Sequence, residues 1–296
     1  MIQIDSLEEL EHEAQREGKR ISDVVIRWQA EKKECAPEAV LEEMRHHYLI
    51  MKEAAEKGSG EHVVSASGLT GKDGYRMWNY IRSGETLSGG ILPAALARAL
   101  SVSGWNASMG RIVAAPTAGS CGILPAALVT MELERHISEE NCVRGMFTAS
   151  AVGMVIAEKA SIAGAQGGCQ AECGAASAMA AAALTELKGG IPHQVVQAAA
   201  IALKSVLGLV CDPVAGLVEI PCIKRNAAGT ATAFMAAELA LAGIESAIPA
   251  DEVIMAMKAV GDTMPVALKE TAEGGLAATP TGRRLCRETL KTREIL

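Results

Sequence analysis

Large aromatic side chains are scarce in this sequence: three Trp, three Tyr and two Phe among 296 residues. A core without rings cannot rest on a few bulky anchors, so it has to come from closely approaching elements with small residues between them. Strand-type alternation is also nearly missing. Arg111–Ala114 is the one short stretch that reads as β, and the expected fold class is all-α, a single helical catalytic domain with long functional loops. No apolar run of eighteen residues survives, because Arg144 and Glu158 interrupt the best stretch, so no membrane partner is expected. No basic stripe appears and the net charge is −7, which argues against a nucleic-acid partner. The acidic start, Met1 to Glu8, has no apolar signal segment, and a cytoplasmic protein is expected. In such a reducing compartment the eight cysteines are thiols or metal ligands and not a disulfide framework.

What is present is helical periodicity. Residues 5–17 read as a charged surface helix, and Ser22 as the cap of a second helix carrying Val24, Val25 and Trp28. Pro37 suits the first turn of a longer helix with Val40, Met44, Tyr48, Met51 and Ala55 on one face and Gly58 at its end. Further helices are expected over 75–83, 91–103, 141–160, 173–188, 193–208, 226–243 and 250–262, with a loop-rich end over 263–296. The organisation expected is an N-terminal charged segment (1–35), a catalytic domain (36–282) and a charged tail (283–296).

Three stretches carry chemistry. The first is Cys211 to Cys222, where Pro213 and Pro221 make a shaped loop with a thiol at each end, a good holder for a soft metal. A third thiol, Cys169, follows Gly167-Gly168, and Cys173 one turn later is its rival. The spacing is not that of a zinc finger. The residues alone leave open whether Cys169, Cys211 and Cys222 hold an iron–sulfur cluster or are buried structural thiols. The second stretch, Ala115 to Gly122, precedes an apolar helix from Ile123. Its Thr117, Gly119 and Ser120 make a turn suited to a carboxylate, and without a Gly-Lys-Ser/Thr ending it is not a nucleotide loop. The third, residues 58–74, is a long small-residue loop with Ser65, Ser67, Thr70, Lys72 and Asp73 as polar candidates.

Together, Ala-Pro-Thr-Ala-Gly-Ser-Cys-Gly (115–122), Gly-Gly-Cys-Gln-Ala-Glu-Cys-Gly (167–174), the 211–222 loop and Lys-Arg-Asn (224–226) resemble the iron–sulfur L-serine dehydratases, specifically the alpha chain of the two-chain bacterial form. The resemblance covers roughly 40–282. It implies an all-helical fold, a [4Fe–4S] cluster on Cys169, Cys211 and Cys222, and a beta chain that completes an oligomeric enzyme. It further implies conversion of L-serine to pyruvate and ammonia, with an iron free of protein ligands acting as Lewis acid on the substrate hydroxyl. Cys173 stands where single-chain relatives usually have an aliphatic residue, and Cys286 does not match their cysteine tail. Lys72, His62 and Lys224 are the in-chain candidates for the general base, and none is singled out by spacing. The different-class alternative is a non-catalytic cluster- or zinc-holding scaffold; the same-class one is a lyase acting on L-cysteine or L-threonine.

Overall fold

The computed structural model describes residues 4–293 as a stack of thirteen α-helices. They are α1 (Leu7–Glu17), α2 (Ile21–Lys32), α3 (Pro37–Lys57), α4 (Asp73–Arg82), α5 (Ile91–Ala107), α6 (Ile123–Arg135) and α7 (Glu139–Lys159). After these come α8 (Gly164–Gly167), α9 (Ala175–Leu187), α10 (Pro192–Lys204), α11 (Cys222–Leu241), α12 (Ala250–Thr263) and α13 (Pro280–Arg293). Among the described residues there is no strand, only isolated bridges of Val64 with Gly71 and Cys211 with Lys269. The reading of the first three and last three residues lies outside the described residues.

The termini of these helices follow from local chemistry. Ser6 caps α1, its hydroxyl accepting from the Glu9 N–H at 3.1 Å, and Gly18 ends it in the left-handed region (φ 63°). Pro37 opens α3, where its missing N–H costs nothing. Ser138 caps α7 by accepting from the Asn141 N–H at 3.3 Å.

At the centre lies α9, buried along its length from Ala175 to Glu186 and packed by α6, α7, α10 and α11. Its alanines let four neighbours approach, which is how a ring-poor sequence reaches interior density. Glycines sharpen the fit. A Cβ on Gly229 of α11 would fall 2.5 Å from Ile123 Cδ1 and 2.8 Å from Ser177 Oγ, and one on Gly153 of α7 would fall 2.9 Å from Met179 Sδ. Leu7, Leu10, Val24 and Val25 of the first two helices join the same core.

Several expectations are corrected. Arg111–Ala114 is irregular and pairs with no strand. Ser22 is not a cap but lies inside α2, its N–H donated to the Glu186 carboxylate at 3.1 Å; Arg20 and Asp23 close that end instead. The C-terminal end is loop-rich only as far as Thr279; Pro280 then starts α13, in which Thr289 is buried. Most other helices fall within a few residues of the periodicity, with α11 starting earlier, at Cys222 itself.

Candidate functional site

The N-terminal ends of α4, α6, α9 and α11 gather at one place, each preceded by one of the irregular segments. Positive helix ends meeting there favour anions such as thiolates and carboxylates. Lys224 of α11 pairs with Asp73 at the start of α4, at 2.5 Å. Asn226 of α11 binds the turn before α6: its Oδ1 accepts from the Gly122 N–H (2.8 Å), and its Nδ2 donates to the Gly119 carbonyl (2.7 Å) and to the Cys222 carbonyl (2.9 Å). Thr117 of the same turn donates its hydroxyl to Glu172 Oε1 at 2.8 Å, ahead of α9.

The loop from Cys211 to Cys222 is fixed at both ends. Cys211 donates its N–H to the Leu268 carbonyl (2.9 Å) and accepts from the Glu270 N–H (2.7 Å). Asp212, buried, pairs with Arg225 Nη2 at 2.8 Å and accepts from the Leu276 N–H at 2.7 Å, and Arg225 Nη1 donates to the Val210 carbonyl at 2.7 Å. Asp212 in the loop and Val210 just before it are thereby tied to the helix that follows. Within the loop, Val214 donates to the Ile220 carbonyl at 2.8 Å, and Ala215 takes a left-handed conformation (φ 58°).

Cys169 sits after Gly168, whose φ of 74° suits glycine; a Cβ there would meet Met264 Sδ at 2.7 Å and the Leu209 carbonyl at 2.9 Å. The glycine pair therefore makes room for protein, not for a ligand. Gln170 is the anchor of this segment. It donates its N–H to Leu209 (2.9 Å) and its side-chain amide to Met257 (2.9 Å), and accepts from the Gly208 N–H (2.9 Å). Residues Gln170–Gly174 form a π-helical turn, a widening often found at functional sites.

Cys169, Cys173, Cys211 and Cys222 are all buried. Cys169 and Cys173 lie sulfur to sulfur at 3.4 Å. The hydrogen bond between the two thiols, aided by the charge of Arg225, holds the Cys169 thiol below its ordinary value. Burial pushes Cys222 up to about 12, and burial together with Cys169 and Glu172 raises Cys211 as well. Cys211 Sγ lies 3.8 Å from Glu172, three residues after Cys169, so the two segments meet in one buried space. Among the described residues no three His, Cys, Asp or Glu side chains close on a point that a single metal ion could fill. Cys121 does not line this space; it is buried against Ala54, Ala55 and Val102.

Of the turn residues, Ser120 is fully buried and its hydroxyl accepts from the Thr117 N–H at 3.4 Å, so it shapes the turn from within. Gly119 faces Glu172: a Cβ there would lie 3.0 Å from Oε1. Of the candidate bases, Lys72 and Lys224 line a cleft of about 580 Å³ together with Thr70, Arg76 and Pro221. Lys72 reaches Glu61 at 3.4 Å. His62 is exposed, its ring against Gly60 and away from the cleft lining. Thr70 donates to the buried Glu219 at 2.7 Å, latching the 58–74 segment onto the cysteine loop.

Glu172, Gln170, Asp212, Arg225 and Asn226 are the residues that sequence reasoning did not assign. For Gln170, Glu172 and Asp212 the available signal was polarity out of place, each being flanked by apolar or small residues beside a candidate cysteine; Arg225 and Asn226 stand in the polar run Lys224-Arg225-Asn226 just after Cys222.

Residues 16–277 match the family described as serine dehydratase alpha chain. A probable L-serine dehydratase alpha chain of Bacillus subtilis (strain 168) is 53% identical over 265 residues, covering 90% of this chain and 88% of that protein. The L-serine dehydratase alpha chain of Peptoniphilus asaccharolyticus is 45% identical over 274 residues, covering 93% and 94%. An L-serine dehydratase of Streptomyces coelicolor is 49% identical over 181 residues, which are 60% of this chain but 40% of that longer protein.

Proposed function

This chain belongs to the serine dehydratase alpha-chain family, and from that premise we propose that it carries the cluster and the substrate turn of an enzyme whose second chain completes the active site. The chain is the alpha subunit of a lyase of the L-serine ammonia-lyase type, an iron–sulfur-dependent class. The overall reaction removes water from L-serine to give 2-aminoacrylate, which tautomerises and takes up water to yield pyruvate and ammonia.

Cys169, Cys211 and Cys222 would hold a [4Fe–4S] cluster. The donor set fits: Cys169, Cys211 and Cys222 are buried soft thiols from three separate segments, Cys211 lies 3.8 Å from Glu172 in the segment of Cys169, and none of them is committed to a disulfide. That donor set is the observation that carries the proposal. When bound, the cluster supplies Lewis acidity for the departure of the substrate hydroxyl.

The rest of the work falls to the chain. Gly119 presents backbone to the substrate carboxylate, with Thr117 and Ser120 fixing the turn and Asn226 locking it to Cys222. Holding the carboxylate on fixed dipoles stabilises the charge that develops when Cα–H is lost. Lys72 and Lys224 are engaged with Glu61 and Asp73, an arrangement that suits guiding an anion into the cleft and not proton abstraction. The proton acceptor is assigned to the beta chain.

The test is anaerobic purification of the chain, with visible absorption, iron and sulfide content, and pyruvate formation from L-serine with and without the beta chain. A brown chain that turns over L-serine only with its partner is expected. A colourless chain, or a loaded complex without turnover, would instead support the scaffold reading. Faster turnover of L-cysteine or L-threonine would reassign the substrate.

A further inference from the structure

We propose that the Glu172 carboxylate, together with the Thr117 hydroxyl that donates to it, receives the α-ammonium group of the substrate. The inference rests on the serine-dehydrating reading above and adds a subsite to it.

Three observations meet at Glu172. First, this half-buried carboxylate has no cation paired with it among the described residues; its partners are the Thr117 hydroxyl at 2.8 Å and the Cys211 sulfur at 3.8 Å. A carboxylate taken out of water without a cation is incomplete. Second, glycine backbone closes directly on both oxygens, so no side chain of those segments competes for them. A Cβ on Gly119 would stand 3.0 Å from Oε1, and one on Gly164 would stand 2.7 Å from Oε2, so two separate segments use glycine at this place. Third, the Thr117 proton is spent on Glu172, which leaves its oxygen as an acceptor toward anything else. The two side chains therefore offer acceptors and no donor, the complement of an ammonium group and a poor match for a carboxylate.

The placement is consistent with one small substrate. Gly119, whose backbone is proposed for the substrate carboxylate, also faces Glu172, and the ammonium and carboxylate of an α-amino acid sit on the same carbon. Cys211, 3.8 Å from Glu172, places the subsite beside a proposed cluster ligand.

The experiment uses the complete two-chain, cluster-loaded enzyme as wild type, Glu172→Gln and Glu172→Asp. Glutamine keeps an acceptor for Thr117 and removes the charge; aspartate keeps the charge. The readouts are KM and kcat for L-serine, cluster absorption, and the inhibition constants of D-serine and glycerate, which differ in carrying ammonium or hydroxyl. Wild type is expected to prefer D-serine. In Glu172→Gln the KM is expected to rise about ten- to a hundredfold, the range for loss of a charged hydrogen bond, and the inhibitor preference to collapse, with Glu172→Asp retaining it. An unchanged inhibitor preference in Glu172→Gln overturns the proposal. So does a loss confined to kcat or to affinity for the beta chain, which would assign the cation to that chain. If neither variant loads its cluster while wild type does, Glu172 holds the cysteine loop and the subsite is rejected. A wild type that forms no pyruvate defeats the functional reading itself, a separate result.

Discussion

Asn226 and Gly122 meet side chain to backbone at 2.8 Å, and this contact joins the turn proposed for the substrate to the helix that begins at Cys222. The same amide donates to the Gly119 and Cys222 carbonyls, so one side chain sets the distance between a proposed substrate group and a proposed cluster ligand. Asn226→Ala leaves a buried N–H and two carbonyls without that partner. Each such loss costs about 1–3 kcal/mol in the buried limit, and a net destabilisation of about 3 kcal/mol is expected, read from the urea midpoint of the cluster-free chain. Faster loss of iron from the loaded variant should accompany it. An unchanged midpoint would mean that the three bonds are replaced by water.

The helical class was legible because it depends on local pattern: the 3.6-residue period of Val40, Met44, Tyr48, Met51 and Ala55, and the prolines at 37, 192 and 249 that open helices. The site was legible only in part. Cysteines and glycine turns announce themselves one by one, whereas Glu172 acquires its meaning from Thr117, fifty-five positions away, and from Cys211, thirty-nine away. Ser22 shows the opposite failure. A serine ahead of an apolar stretch reads as a cap, but the long-range demand of Glu186 for an N–H donor prevails over that local preference.

Gly58 tests how close the packing is. A Cβ there would fall 2.0 Å from the Ser101 carbonyl oxygen, and Gly74 approaches the same turn of α5, a Cβ at that position lying 3.0 Å from Ser101 Cα. The obstacle at Gly58 is backbone, which cannot rotate aside. Gly58→Ala should therefore cost about 3 kcal/mol through overpacking, more than the roughly 1 kcal/mol that alanine gains over glycine in a helix. Thermal denaturation against Gly18→Ala, where nothing lies within 4 Å but φ is 63°, separates crowding from backbone strain.

Cys173 separates the two roles a thiol can take here. It lies 3.4 Å from Cys169, hydrogen-bonded to it, and its own thiol is driven upward by that hydrogen bond and by burial. Cys173→Ala should keep iron and sulfide near wild-type content and shift the visible band slightly, as loss of a hydrogen bond to a ligand sulfur does. Cys169→Ala, Cys211→Ala and Cys222→Ala should lose the colour. Bleaching in Cys173→Ala and not in Cys169→Ala would transfer the ligand role to Cys173.

Glu186 gives the chain a pH dependence away from the site. It ends the buried run of α9, where burial holds its carboxyl above the usual range, and it accepts the Ser22 N–H at 3.1 Å. The hydroxyls of Ser22 and Thr148 lie beside it without forming a hydrogen bond of good geometry. Because the folded value is raised above the unfolded one, the stability this group contributes is complete below the unfolded value, near 4.5. It is lost as pH rises through the folded value. Glu186→Gln keeps the acceptor for Ser22, supplies an amide donor to the two hydroxyls and removes the titration. It should therefore be more stable than wild type by about 1 kcal/mol or more at pH ~8, with the difference shrinking toward pH ~5. Urea midpoints of both proteins across that range check it; a gap that does not change with pH would show that Glu186 enters the folded core already ionised.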